Sequence, residues 1–134
     1  MASQFERDLG AFHAGTMEYV DKVRRASILE LFRLVVMETP VDTGRLRGNW
    51  QTTINTPATS ELDRLDPNGG IVLAEVLANM GGLLDVVYFS NNLPYAERIE
   101  YDGWSKHKAP GGMVRMHVAQ WERIVEAKAR ALAR

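Results

Sequence analysis

The sequence contains no cysteine, which excludes disulfides, thiolate metal ligands and cysteine nucleophiles and fits a reducing compartment. It also lacks any apolar run approaching the roughly 18 residues of a membrane span. Its opening stretch, MASQFERDLG, has no apolar core of the kind a secretory signal carries. These absences lead us to expect a soluble protein made in the cytoplasm. Charge of one sign is missing too: 16 Lys and Arg stand against 17 Asp and Glu, a net charge of -1. Nothing global therefore draws the chain to nucleic acid or to an acidic membrane. His13, His107 and His117 share none of the spacings that metal sites use, and no cysteine can complete a set. The pairs Gly69-Gly70, Gly81-Gly82 and Gly111-Gly112 lack the Gly-Lys-Ser/Thr ending or the strand–GxGxxG–helix frame of a phosphate cradle, and read as turns and helix ends. No cofactor and no metal are expected.

What is present suits one domain over residues 1–134, since a chain of this length buries about two-thirds of the surface its unfolded form exposes. A hydrophobic content of 46% with 25% charge is that of a folded globular protein. Apolar residues at Phe5, Leu9, Phe12, Val20, Val23, Ile28, Leu31, Phe32 and Val35 recur at three- and four-residue steps, the mark of an amphipathic helix. Gly10 and Gly15 weaken its beginning, so residues 1–15 are expected to fray and the helix to hold from about Thr16. Pro40 forces Thr39 out of helical geometry and ends it.

From Leu46 the period changes to two. Leu46, Trp50, Thr52 and Ile54 fall on one face, with Arg45, Arg47, Asn49, Gln51 and Thr53 on the other, and this predicts a half-buried strand. Residues 55–70 read as a polar, mobile excursion. Residues 71–80 favour a short helix over a buried strand by their Ala, Leu and Met content, and Leu83 to Asn92 predicts a strand. A short helical turn opened by Pro94 follows, then a polar loop over 102–112. The last segment places Val114, Val118, Trp121, Val125 and Leu132 at mostly helical spacing, with Lys128, Arg130 and Arg134 near the negative end of the helix dipole. Trp50 and Trp121 are expected in the core, whereas Trp104, within a polar loop, suits an interface anchor. The predicted fold class is α+β, with long N- and C-terminal helices packed on a small, mostly antiparallel sheet and joined by long polar loops.

The tripeptide Asp42-Thr43-Gly44 is also what aspartic proteases place at their catalytic carboxylate. That chemistry needs two carboxylates sharing a proton, so a homodimer would have to contribute Asp42 from each chain. Arg45 and Arg47 nearby would favour the ionised carboxylate and oppose proton sharing. The other reading is a turn, in which Asp42 bonds its own backbone as an Asx turn and Gly44 takes a positive φ to swing the chain out of the helix. A third use of this region is a single-stranded nucleic-acid surface. In that reading Trp104 stacks on a base, and Lys106, His107, Lys108, Arg45, Arg47 and Arg115 face phosphates.

In order and spacing, TPVDTGRLRGNW, then SNNLPYAERIEYDGWSKHKAPGGMV, then a helix with QWERIV resemble the neck or tail-completion proteins of long-tailed bacteriophages, also called minor tail or head–tail joining proteins. The resemblance spans about Val35 to Val125. It implies a small α+β domain that joins a homo-oligomeric ring between the DNA-filled head and the tail and catalyses nothing. The partners it implies are head-completion and tail-terminator or tail-tube proteins, with DNA passing through unread and no membrane. The location implied is the neck or tail of a virion assembled in the bacterial host's cytoplasm. By position, the turn Asp42, Thr43, Gly44, Arg45 and Leu46, the loop Asn91, Asn92, Pro94 and Tyr95 with Glu97, and the segment Ser105, Ala109, Pro110, Gly112 and Met113 match the family pattern. With Trp50 and Trp104 they form the set of turn and interface candidates. DGWSKHKAP departs from the expected Gly-x-Ser-x-x-Ala-Pro, and residues 55–70 match nothing in the family.

Overall fold

Ser3 starts the first helix with a capping box: its hydroxyl accepts from the Glu6 N–H at 3.1 Å and the Glu6 carboxylate accepts from the Ser3 N–H at 3.1 Å. Two otherwise unpaired donors are thereby satisfied. In this computed structural model, which describes residues 3–103 and 108–133, helix α1 runs unbroken over Gln4–Glu38. The helix, supported by the sequence only from about Thr16, is thus formed from Gln4, with the Ser-x-x-Glu cap and the continuous hydrogen-bond ladder offsetting the propensity cost of Gly10 and Gly15. Thr39 ends the helix with ψ 122, the extended geometry that a following proline demands.

The strand expected from Leu46 starts later. Arg45–Gly48 form a helical turn, α2, and strand β1 is Trp50–Ile54. Alternation seen from Leu46 therefore belonged to two different backbones, and Leu46 and Trp50 are buried at the four-residue step of a turn. Gly70–Ala78 form α3, the helix expected there. Strand β2 is Val87–Asn91, shorter than the stretch from Leu83, because Gly82 to Asp85 make a turn closed by the Asp85 carboxylate on the Gly82 N–H at 2.7 Å. β1 and β2 pair antiparallel, Trp50 opposite Asn91 and Ile54 opposite Val87. Ala96–Asp102 form α4.

The C-terminal helix is broken in two, α5 over Arg115–Val118 and α6 over Trp121–Ala131. The break at Ala119 and Gln120 shifts the helical phase. Val118 consequently faces outward, 49% exposed, and Trp121 sits at the rim beside Ile28, Leu31 and Phe32, 37% exposed, while Ile124 takes the buried position. The core role expected for Trp121 is thus corrected. α6 lies along α1, where the Tyr19 hydroxyl donates to the Ala129 carbonyl at 2.6 Å.

The core gathers Val35 and Val36 of α1, Leu46 of α2, Trp50 of β1, Val72 of α3, and Leu93, Ala96, Ile99, Ala109 and Met113 from the second half. Phe89 is stacked between Phe32 and Trp50, with ring centroids 4.1 and 4.7 Å away. No described helix is long and apolar enough to cross a membrane.

Candidate functional site

Thr39 anchors the corner after α1. Its hydroxyl donates to the Val35 carbonyl at 2.7 Å and accepts from the Trp50 indole N–H at 2.9 Å, so the helix end and the first strand share one buried oxygen. The chain then turns through Asp42-Thr43-Gly44. Gly44 has φ 90, as expected, and a Cβ there would overlap Pro67, so glycine meets both a dihedral and a space requirement. The Asx turn expected at Asp42 is replaced by a threonine one: Thr43 Oγ1 accepts the Arg45 N–H at 3.3 Å, and Asp42 lies exposed beside it. The Gly44 carbonyl accepts from the N–H groups of Gly48 and Asp66, at 2.8 and 3.0 Å.

The two arginines of this turn serve the frame. Arg45 pairs with Glu61 at 3.5 Å. Arg47 donates to the carbonyls of Pro67, Met37 and Thr39 at 2.7, 3.2 and 2.9 Å, satisfying acceptors at the end of α1. Burial lowers its pKa from the ordinary arginine value, and the nearby Asp66 carboxylate opposes that shift. Arg47 is therefore committed to carbonyls rather than set against Asp42.

The loop Asn91 to Tyr95 closes on this turn from the other half of the chain. Asn91 donates to the Leu46 carbonyl at 2.9 Å and its own side-chain oxygen accepts the Leu93 N–H at 3.2 Å. Asn92 reaches the Ala58 carbonyl at 3.0 Å. Leu93 and Ala96 are buried, Pro94, Tyr95 and Glu97 exposed. Beside the turn, Pro40, Asp42, Thr43, Arg45, Leu46 and Tyr95 line a concavity of about 240 Å³ that contains a single carboxylate.

The third segment is held by Glu100, which the sequence reading passed over. Its carboxylate accepts the N–H groups of Met113, Val114 and Arg115 at 2.6, 2.8 and 2.9 Å, and the Arg115 guanidinium at 3.1 Å. Burial pushes the Glu100 carboxyl up, but these donors outweigh it and hold the group below its ordinary value. Gly112, at φ 90, brings the backbone against Glu100 where a Cβ would overlap it. Ala109 and Met113 are buried and Pro110 is exposed. Trp104 and Ser105, with Lys106 and His107, lie outside the described residues, so the readings placed on them have no structural counterpart here.

The excursion over 55–70, expected to be mobile, is stitched down by side chains. Asn49 grips Leu62 from both sides, donating to its carbonyl at 3.0 Å and accepting its N–H at 2.6 Å. Arg64 donates to the carbonyls of Gly48 and Trp50 at 2.6 and 2.8 Å and pairs with Glu75 at 2.9 Å. Asp66, 2% exposed, accepts the Val72 N–H at 2.8 Å in the first turn of α3. Asn49, Arg64, Asp66 and Glu75 were missed because each looked like an ordinary polar residue. Apart from the Arg64–Glu75 ion pair, their partners are backbone carbonyls and amides, which carry no sequence signature.

Among the described residues no group of His, Asp and Glu is arranged to hold a metal ion. No known protein family, curated protein or solved structure matches the chain.

Proposed function

We propose that this chain is a structural subunit of a long-tailed bacteriophage or prophage neck, assembling as a ring that joins the DNA-filled head to the tail. The observation that carries the reading is the convergence of the three motif segments from which the resemblance was drawn. Leu46 and Trp50 from the first, Leu93 and Ala96 from the second, and Ala109 and Met113 from the third meet in one apolar cluster. The polar motif residue Asn91 ties the second segment to the first through the Leu46 carbonyl. Residues separated by up to about seventy positions thus serve one purpose, holding loops in place, as a joining protein requires and as an isolated catalytic carboxylate does not. Exposed residues such as Pro94, Tyr95 and Pro110 in the loops and Glu97 in the first turn of α4 are left facing outward, where neighbouring subunits would meet them. Ring closure would use heterologous side-to-side contacts, with DNA passing through the lumen unread.

Electron microscopy of lysates from a phage lacking this gene, beside a complemented strain, tests the reading. Filled heads and separate tails that join on complementation are the expected result, and normally joined infectious particles without the gene would overturn it. The concavity beside Asp42 keeps one alternative, a dimeric aspartic-type hydrolase, and an Asp42→Asn peptidase assay decides it.

A further inference from the structure

Along α1, Phe5, Leu9, Phe12, Thr16, Tyr19 and Val23 alternate steps of four and three, the seam of a helix that packs against another helix over its whole length. The later part of this seam is occupied: Tyr19 meets α6 through the Ala129 carbonyl, and Val23 is buried. α6 ends at Ala131, and beyond it the seam continues uncovered, with Phe5, Leu9 and Phe12 exposed by 74%, 55% and 73%. Isolated exposed apolar residues are common, but three on one helical seam in continuity with a packed stretch form an unfinished interface.

We infer that a second copy of this chain completes it, the two N-terminal arms pairing antiparallel about a two-fold axis so that each Phe5 enters a hole on its partner. The hole is present. Phe12, Gly15, Thr16 and Tyr19, together with Ala11 and Ala133, line a concavity of about 390 Å³ where α6 runs out. Positions 12, 15, 16 and 19 are the i, i+3, i+4 and i+7 set that receives a knob in coiled-coil packing. In this register Phe5 lies opposite Thr16 of the partner subunit and Leu9 opposite the partner's Phe12.

Charge supports this direction. An antiparallel arm would run on from the end of α6, setting Glu6 of its first turn near Lys128 and near Arg130, which also pairs with Glu126, in the last turn of α6. Helix dipoles would then meet head to tail. Phenylalanine buries roughly 150–250 Å², so the exposed parts of two Phe and one Leu from each copy bury about 800 Å² in all, the size of a weak, transient interface. The dimer is therefore weak and concentration-dependent. It needs no phage component, and a two-fold contact of this kind saturates itself and is separate from the contacts that would close a ring.

Sedimentation equilibrium of the full chain from about 1 to about 300 µM tests the pairing. A monomer–dimer equilibrium is expected, weakened about tenfold or more by Phe5→Glu, which removes a buried aromatic anchor. Gly15→Leu, which fills the hole while strengthening the helix, should weaken it as well, with helical circular dichroism intact in both variants. Oxidation of an equimolar mixture of Leu9→Cys and Phe12→Cys chains should enrich the mixed disulfide, and a parallel pairing would enrich the two homodimers. A wild-type chain monomeric throughout, or any oligomer indifferent to Phe5→Glu, overturns the arm pairing and leaves the ring reading to the microscopy of joined particles.

Discussion

Glu100 carries the heaviest polar load at the level of single residues. A carboxyl whose pKa is lowered on folding contributes stability that is fully present above its unfolded value and lost as pH falls through the folded one. With Glu100 held low by three backbone N–H groups and Arg115, urea unfolding from about pH 7 to about pH 3 should show stability falling on the acid side. Glu100→Gln should lower stability by about 2 kcal/mol at neutral pH and flatten that acid slope, because Gln keeps the shape but loses the charge-assisted acceptors. Asp42 predicts the opposite. It is exposed and Thr43 makes the local hydrogen bond, so Asp42→Asn should alter stability by no more than about 0.5 kcal/mol in thermal melts. Trp50→Phe keeps the stack with Phe89 and removes the N–H bond to Thr39; a loss of about 1 kcal/mol is expected by chemical denaturation.

Among the elements, the excursion over 55–70 separates composition from structure most clearly. Its two prolines and its glycine pair suggested mobility, yet its carbonyls and amides are bonded by Asn49, Gln51 and Asn92, and its own Arg64 reaches out to the Gly48 and Trp50 carbonyls. Asn49→Ala removes bonds to Leu62 on both sides and leaves a half-buried carbonyl and amide unpaired, so a cost of about 1 kcal/mol is expected, with new protease cleavage between residues 55 and 65 as the readout. Helix α1 shows the reverse: its start was legible in Ser3-x-x-Glu6, and reading Gly10 and Gly15 as breakers obscured it. The final helix was overextended because Val114, Val118, Trp121 and Val125 keep an approximate period across the break at Ala119 and Gln120, and periodicity alone cannot register a change of phase.

In the whole molecule, the apolar cluster lies where the ends of α1, the Asp-Thr-Gly turn and the loops after β2 meet, while the N-terminal third of α1 extends beyond α6 with its apolar seam open. One end of the molecule is thus a rigid frame and the other an arm. If the frame is what a neck ring uses, substitutions in the exposed loop, such as Tyr95→Ala, should leave the fold intact and lower the yield of joined particles. Tyr95 is 40% exposed on the loop held by Asn91 and Asn92, so its removal costs little packing. Complementation by the Tyr95 variant, scored by electron microscopy, measures this.

The sequence by itself determined the α+β class, the end of α1 before Pro40, the strand before Asn92 and the positive φ at Gly44, and it leaned to helix over 71–80, where α3 spans Gly70–Ala78. Each of these follows from local chemistry: proline geometry, side-chain period, and a dihedral that glycine alone adopts without strain. Tertiary structure alone decided that Thr43 rather than Asp42 makes the turn's hydrogen bond, that Glu100 and Arg64 are clamps, and that Trp121 stays at the rim of the core while Phe5 and Phe12 remain uncovered. These outcomes depend on which backbone carbonyls and amides arrive beside a given side chain, and on where a packed partner helix stops. Neither quantity is carried by the residues nearby in the chain.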